Sequence, residues 1–169
     1  MVLDTPIEKA VLDTGPLVSA ITLELVKNRP PAQREAILGR SRLQPYLRET
    51  RKHEAFLQFF QSIRVVLTTS HVVAEIHGLR FLDGEVQKNF WECAITLLGE
   101  KQFSEEHMRL FELDSLGHIE TISRIGPTDV ALTELARKNG YVLLTEDRRT
   151  LAPWAWDQGV RCLLVQDFL

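Results

Sequence analysis

Short apolar runs separated by helix-length stretches constrain this chain more than any other feature. The runs are Ala10–Leu12, Val65–Leu67, Tyr141–Leu144 and Val160–Val165, each of strand length and rich in Val and Leu. Strands that alternate with helices predict an α/β chain with a mainly parallel central sheet, covered by helices on both faces in three layers.

The punctuation between the runs sets the element boundaries. Gly15-Pro16 directly after Asp13 marks a strand-to-helix junction, and the helix continues through Leu17, Ile21 and Leu25. Asn28–Pro31 breaks it, and further helices are expected over about 32–39 and 45–62. Thr69 or Ser70 can cap a helix with Val72, Val73, Ile76 and Leu79 facing inward, and Asp83-Gly84 turns into another that ends near Leu98. Ser104-Glu105-Glu106 reads as a helix cap with acidic residues in the first turn, so a helix is expected to run from there to Arg124, interrupted near Gly117. Gly126-Pro127 opens a helix that Gly140 stops.

A chain of 169 residues fits one domain, here 1–169 with a basic helical insertion at about 28–63. No apolar run approaches membrane-spanning length, and the N-terminus shows no secretory pattern. Cys93 and Cys162 are too few and too far apart for a disulfide framework or a zinc site, so both are expected as reduced thiols in a cytoplasmic protein. The net charge of −3 conceals an asymmetry: residues 27–64 carry nine basic side chains against three acidic, and residues 81–120 the reverse. The basic stretch, with Arg48, Arg51 and Lys52 at its centre, can follow a phosphate backbone or simply be the wet face of two helices.

In open parallel sheets ligands bind beyond the carboxyl ends of the strands. Asp13 ends the first strand, Asp147 follows the strand at 141–144, Glu75 lies two turns into the helix after the second strand, and Asp129 begins its helix. Each acid alone has an ordinary explanation. Asp13 can cap a helix, Asp129 can complement a helix dipole, and Asp147 can make a turn. Glu75 resists this most, because its spacing from Val72 and Leu79 puts it on a core-directed face. Four adjoining carboxylates repel and raise one another's pKa unless cations offset them. Mg²⁺ or Mn²⁺ takes such oxygen ligands, and two ions about 3.5–4 Å apart, or one with a carboxylate-assisted water, suit phosphodiester hydrolysis.

Other constellations fit less well. Asp13-Thr14-Gly15 matches the aspartic-protease triplet, but a helical pattern follows where that fold needs strands. Gly15 stands where a dehalogenase-type phosphatase needs a second Asp, and a receiver-type phosphoacceptor needs a late strand-end lysine that is missing. His71 and Glu75 are four apart without an HExxH motif, the three Trp read as core or interface anchors, and no P-loop, GxSxG or GxGxxG occurs.

Three segments together resemble the PIN domain family, the fold of VapC-type toxins and related nucleases. AVLDTGPLVSA at 10–20 is similar to its opening strand and first acid, TSHVVAEIHGL at 69–79 to its second motif, and GPTDVALTELARKNGYVLLTEDRRTL at 126–151 to its third and fourth. The resemblance implies cleavage of RNA dependent on Mg²⁺ or Mn²⁺, with Asp13, Glu75, Asp129 and Asp147 holding the metal and Thr145 as a polar helper. It also implies a toxin silenced by a small antitoxin, and a homodimer. Arg148 and Arg149, with Arg48, Arg51 and Lys52, would hold phosphates, and Glu146 is a rival or auxiliary ligand beside Asp147. The alternatives are a catalytically silent PIN-like module that binds RNA or protein, or a nuclease of RNA processing. The span from Asp13 to Glu75 is longer than expected for compact VapC-type toxins and contains the basic stretch. Reversing the charge of Arg48, Arg51 and Lys52 together is expected to weaken binding of single-stranded RNA and to flatten its salt dependence by about 0.7 per lost phosphate contact. Unchanged affinity and slope would remove this stretch from the RNA-holding surface.

Overall fold

Five short strands, β1 (Lys9–Leu12), β2 (Val65–Thr69), β3 (Gln102–Glu106), β4 (Val142–Thr145) and β5 (Cys162–Leu164), form one sheet in the order β3-β2-β1-β4-β5. Every pairing is parallel. The structure, a computed structural model, describes residues 7–40, 49–78, 82–109, 119–167 and 169. Eight helices flank the sheet among these residues: α1 (Thr14–Val26), α2 (Pro31–Arg40), α3 (Thr50–Ser62), α4 (Ser70–Gly78), α5 (Gly84–Gly99), α6 (Ile119–Ile125), α7 (Pro127–Asn139) and α8 (Leu151–Asp157). The expected α/β architecture of three layers is the one observed.

The apolar runs become strands because both their faces are covered. β4 is buried at all four positions, and β1 at every position after Lys9. α1 is apolar around nearly its whole circumference because α2, α3, α4 and α5 all pack against it. α7 lies across β1, β2 and β4, with α6 and α8 beside it. Gly126 opens α7 with φ of 95° and Gly140 closes it with φ of 64°, both in the region that favours glycine. Lys101 ties α3 to the sheet edge by donating to the carbonyls of Phe60 (2.9 Å) and Ile63 (2.7 Å). None of the helices among the described residues is long and apolar enough to cross a membrane.

Two sequence expectations need correction. Ser104-Glu105-Glu106 does not cap a helix; it lies in β3, where Leu67 pairs with Ser104, Thr68 with Glu105 and Thr69 with Glu106. β3 is an edge strand with much of its surface in water, so it tolerates the polar composition that suggested a first helical turn. Helix within that span is seen only from Ile119, and 110–118, with Gly117, lie outside the described residues. The second correction is α8, which the residues after Asp147 did not suggest. It includes Pro153 and two Trp, and Trp156, half exposed, donates its indole N–H to the Cys162 carbonyl at 3.0 Å. Leu79, Arg48 and the first residues of the helix expected at 45–62 also lie outside the described set.

The switch in winding falls between β1 and β4. From β1 the chain moves outward to β2 and β3, then crosses back to β4 and continues to β5. Leu143, in the middle of β4, is fully buried. Leu143→Ala is expected to cost about 2–5 kcal/mol. This should appear as a lower urea midpoint at unchanged m-value.

Candidate functional site

The carboxyl ends of β1 and β4 lie side by side, and the site is built outward from them. Leu12 pairs with Leu144, and the Asp13 N–H continues the ladder to the Leu144 carbonyl at 3.1 Å. Asp13 then caps α1: its Oδ1 accepts from the Thr14 N–H at 2.6 Å. Its Oδ2 accepts from the buried Thr145 hydroxyl at 2.6 Å, and that same oxygen of Thr145 accepts from the Asp147 N–H at 2.9 Å. Thr145 thus links the acid after β1 to the acid after β4.

The other acids arrive on helices. Asp129 lies in the first turn of α7, on the stripe with the buried Leu132 and Ala136. Glu75 lies on α4, where the sequence suggested a core-directed face; it is instead exposed at the sheet edge. Its Oε2 accepts from Thr14 Oγ1 and its Oε1 from Thr128 Oγ1, each at 2.7 Å. Neither threonine was singled out from the sequence for this role. The available signal was a hydroxyl residue adjoining an acid in Asp13-Thr14 and Thr128-Asp129.

Electrostatics shows that the four acids share one neighbourhood. Burial pushes the Asp13 carboxyl up to about 6, against the hydrogen bonds from Thr145 and Thr14, with Glu75 and Asp147 adding to the rise. Burial raises Asp129 further, to about 7, and Asp13, Asp147 and Glu75 all contribute. The Asp129 carboxylate has no hydrogen-bond or ionic partner among the described residues. Asp147 is at the opposite extreme. Its Oδ1 accepts from the Arg149 and Thr150 N–H groups at 2.8 and 2.9 Å, and its Oδ2 from Leu151 N–H at 3.3 Å, so it secures the turn into α8. The turn role weighed for it from sequence is realised, together with its place among the acids.

The auxiliary residues divide. Glu146 packs on α1: Ser19 Oγ donates to its Oε1 at 3.2 Å, and a Cβ at Gly15 would come within 2.6 Å of its Oε2. Gly15 therefore makes room for Glu146. Arg148 is paired with Asp167, whereas the Arg149 and Arg51 side chains are exposed and have no partner among the described residues. Lys52 pairs with Glu49 at 3.2 Å, and Arg48 is outside the described set. Cys162, on β5, is pushed up to about 12 by burial and by Asp13, so it remains a neutral thiol. Both cysteines are free.

The donor set fits a hard divalent cation in its chemistry: all oxygen, with two carboxyls raised chiefly by burial and further by the neighbouring acids, one of them unpartnered among the described residues. Among the described residues no three His, Cys, Asp or Glu side chains converge closely enough to hold one ion together. An ion shared by three of the acids would require their side chains to close in from these positions. No family model, curated protein or solved structure matches the chain.

The raised acids give the metal-free protein a defined pH dependence. Between the ordinary carboxyl pKa of 3.8 and the folded value of about 7, Asp129 keeps a proton that the unfolded chain releases. Its contribution therefore favours the fold at low pH and is lost as pH rises through 7. Asp129→Asn is expected to stabilise the metal-free protein at pH 8 by about 1–3 kcal/mol and to change little at pH 4. Thermal unfolding measures this as a rise of about 2–4 °C per kcal/mol. A variant less stable than wild type at pH 8 would contradict the repulsion.

Proposed function

We propose that this chain is a metal-dependent endoribonuclease of the PIN type, hydrolysing RNA phosphodiester bonds at the Asp13, Glu75, Asp129 and Asp147 cluster. The observation that carries the reading is Asp129: a half-buried carboxylate, facing three other acids, with nothing among the described residues to neutralise it. Such an arrangement costs stability, and perturbed acid clusters are found where chemistry needs them. The three motif resemblances supply the word ribonuclease.

The residues take distinct parts in this reading. Asp13 is oriented by Thr145 and by the first amide of α1, which leaves its carboxylate little rotational freedom. Asp129 is the open donor, and Glu75 stands between the first turns of α1 and α7. Mg²⁺ or Mn²⁺ bound there would supply an activated water and charge to stabilise the leaving oxygen. Arg149 offers an exposed guanidinium to a phosphate next to Asp147. Arg148 would first have to leave Asp167. The biological setting proposed is the toxin half of a toxin–antitoxin pair, acting on RNA as a homodimer and restrained by a small protein.

A second reading is a catalytically silent module of the same fold that binds RNA or protein. It is favoured by the commitment of the Asp147 carboxylate to three backbone amides, and by the spacing of the acids. One assay separates the two: purified protein with structured and unstructured RNA, with Mn²⁺ or Mg²⁺ and with chelator. The enzyme reading expects metal-dependent cleavage that falls by about 100-fold or more in Asp13→Asn and Asp129→Asn. RNA binding without cleavage above those variants would establish the silent module instead. Growth arrest on expression, relieved by a co-expressed small neighbour protein, tests the toxin setting.

A further inference from the structure

Glu75 belongs to α4, yet the groups that hold its carboxylate come from two other helices. Thr14 is the first residue of α1 and Thr128 lies in the first turn of α7; each donates its hydroxyl proton to a different Glu75 oxygen at 2.7 Å. A threonine hydroxyl has one proton to give, so both donors are fully used on this one side chain. Each Glu75 oxygen keeps a second lone pair, so the contacts leave it able to serve as a ligand.

The two threonines are also the chain neighbours of Asp13 and Asp129. Their contacts therefore place Glu75 relative to the other acids, not merely relative to its own helix. Exposed glutamate side chains sample many rotamers, and ordering one on ligand binding costs conformational entropy. Two short hydrogen bonds from separate helices remove that freedom beforehand. The same bonds compensate for the lack of any cation paired with Glu75 among the described residues.

Resting on the reading of this site as a divalent-metal centre, we propose that Thr14 and Thr128 are positioning residues that preset the Glu75 carboxylate as an oxygen donor beside Asp13 and Asp129. They act through Glu75 and touch neither the ion nor the RNA. A purely structural role, in which the hydroxyls only fasten α1, α4 and α7 together, makes different demands. It would lower stability when the hydroxyls are removed but would leave metal affinity unchanged once the protein is folded.

The test is the affinity of the full chain for Mn²⁺, measured by calorimetry without RNA, in a double-mutant cycle. Thr14→Val and Thr128→Val keep the shape and remove the hydroxyls, Thr→Ser at both positions keeps them, and Glu75→Gln removes the acid. The expected result is binding about 10- to 100-fold weaker in the valine pair, recovery in the serine pair, and no further loss when the valines are added to Glu75→Gln. Folded valine variants that bind Mn²⁺ as wild type does would overturn the positioning role alone. An equal loss in the Glu75→Gln background would also overturn it, since the effect would then bypass Glu75. Wild-type protein that binds no Mn²⁺ would overturn this role together with the metal-centre reading. If the valine pair fails to fold, Thr128→Val in a cycle with Glu75→Gln carries the same comparison, with the same outcomes.

Discussion

The parallel pairing of β1 with β4 is the constraint from which the rest of the site follows. It sets Leu12 opposite Leu144, so the chain leaves the sheet at Asp13 and at Thr145 from adjacent strands. The strand order reverses direction there, and the connections diverge at the carboxyl edge, where open parallel sheets bind their ligands. Helices that follow β1, β2 and β4 must begin at that edge, and α7, which leads back into β4 from Gly140, brings its first turn there too. The Thr128 contact with Glu75 is the direct sign of that convergence.

What this edge collects is acidic side chains, and the chain compensates for them unevenly. Asp147 has three backbone amides, Asp13 has one amide and one hydroxyl, and Glu75 has two hydroxyls. Asp129 has none among the described residues. The order runs from an acid that mainly holds a turn to an acid that nothing among the described residues offsets. Burial and the neighbouring acids together hold the Asp13 and Asp129 carboxyls above their ordinary range. Thr145 couples Asp13 to Asp147 through a single hydroxyl.

The buried strands and their order of appearance were legible because apolar runs of strand length have few other readings in a chain that alternates them with helices. The edge strand was not legible. Gln102–Glu106 carries two acids and a serine, and local pattern cannot distinguish a wet strand from a helix start when pairing with β2 decides the matter. α8 escaped for the converse reason: its burial comes from β4, β5 and α7, and its Trp-rich stretch with an internal proline has no clear helical stripe. Among the acids, Asp13 and Asp129 could be placed from sequence, since a strand end and a helix start are local features. Glu75 was placed at the right edge for a wrong reason, because its face is wet. The threonine contacts join residues 61 and 53 positions apart, a separation at which sequence pattern says nothing.

On the metal-centre reading, the carboxyl edge of the sheet holds negative charge that a divalent cation would offset. The most direct measurement is the thermal shift that Mn²⁺ causes in wild type at pH 8 and at pH 5. Tm is expected to rise clearly at pH 8 and less at pH 5, where protons occupy Asp13 and Asp129 and compete with the ion. The rise should be strongly reduced in Asp129→Asn. No shift at pH 8, or an equal shift in that variant, would contradict it.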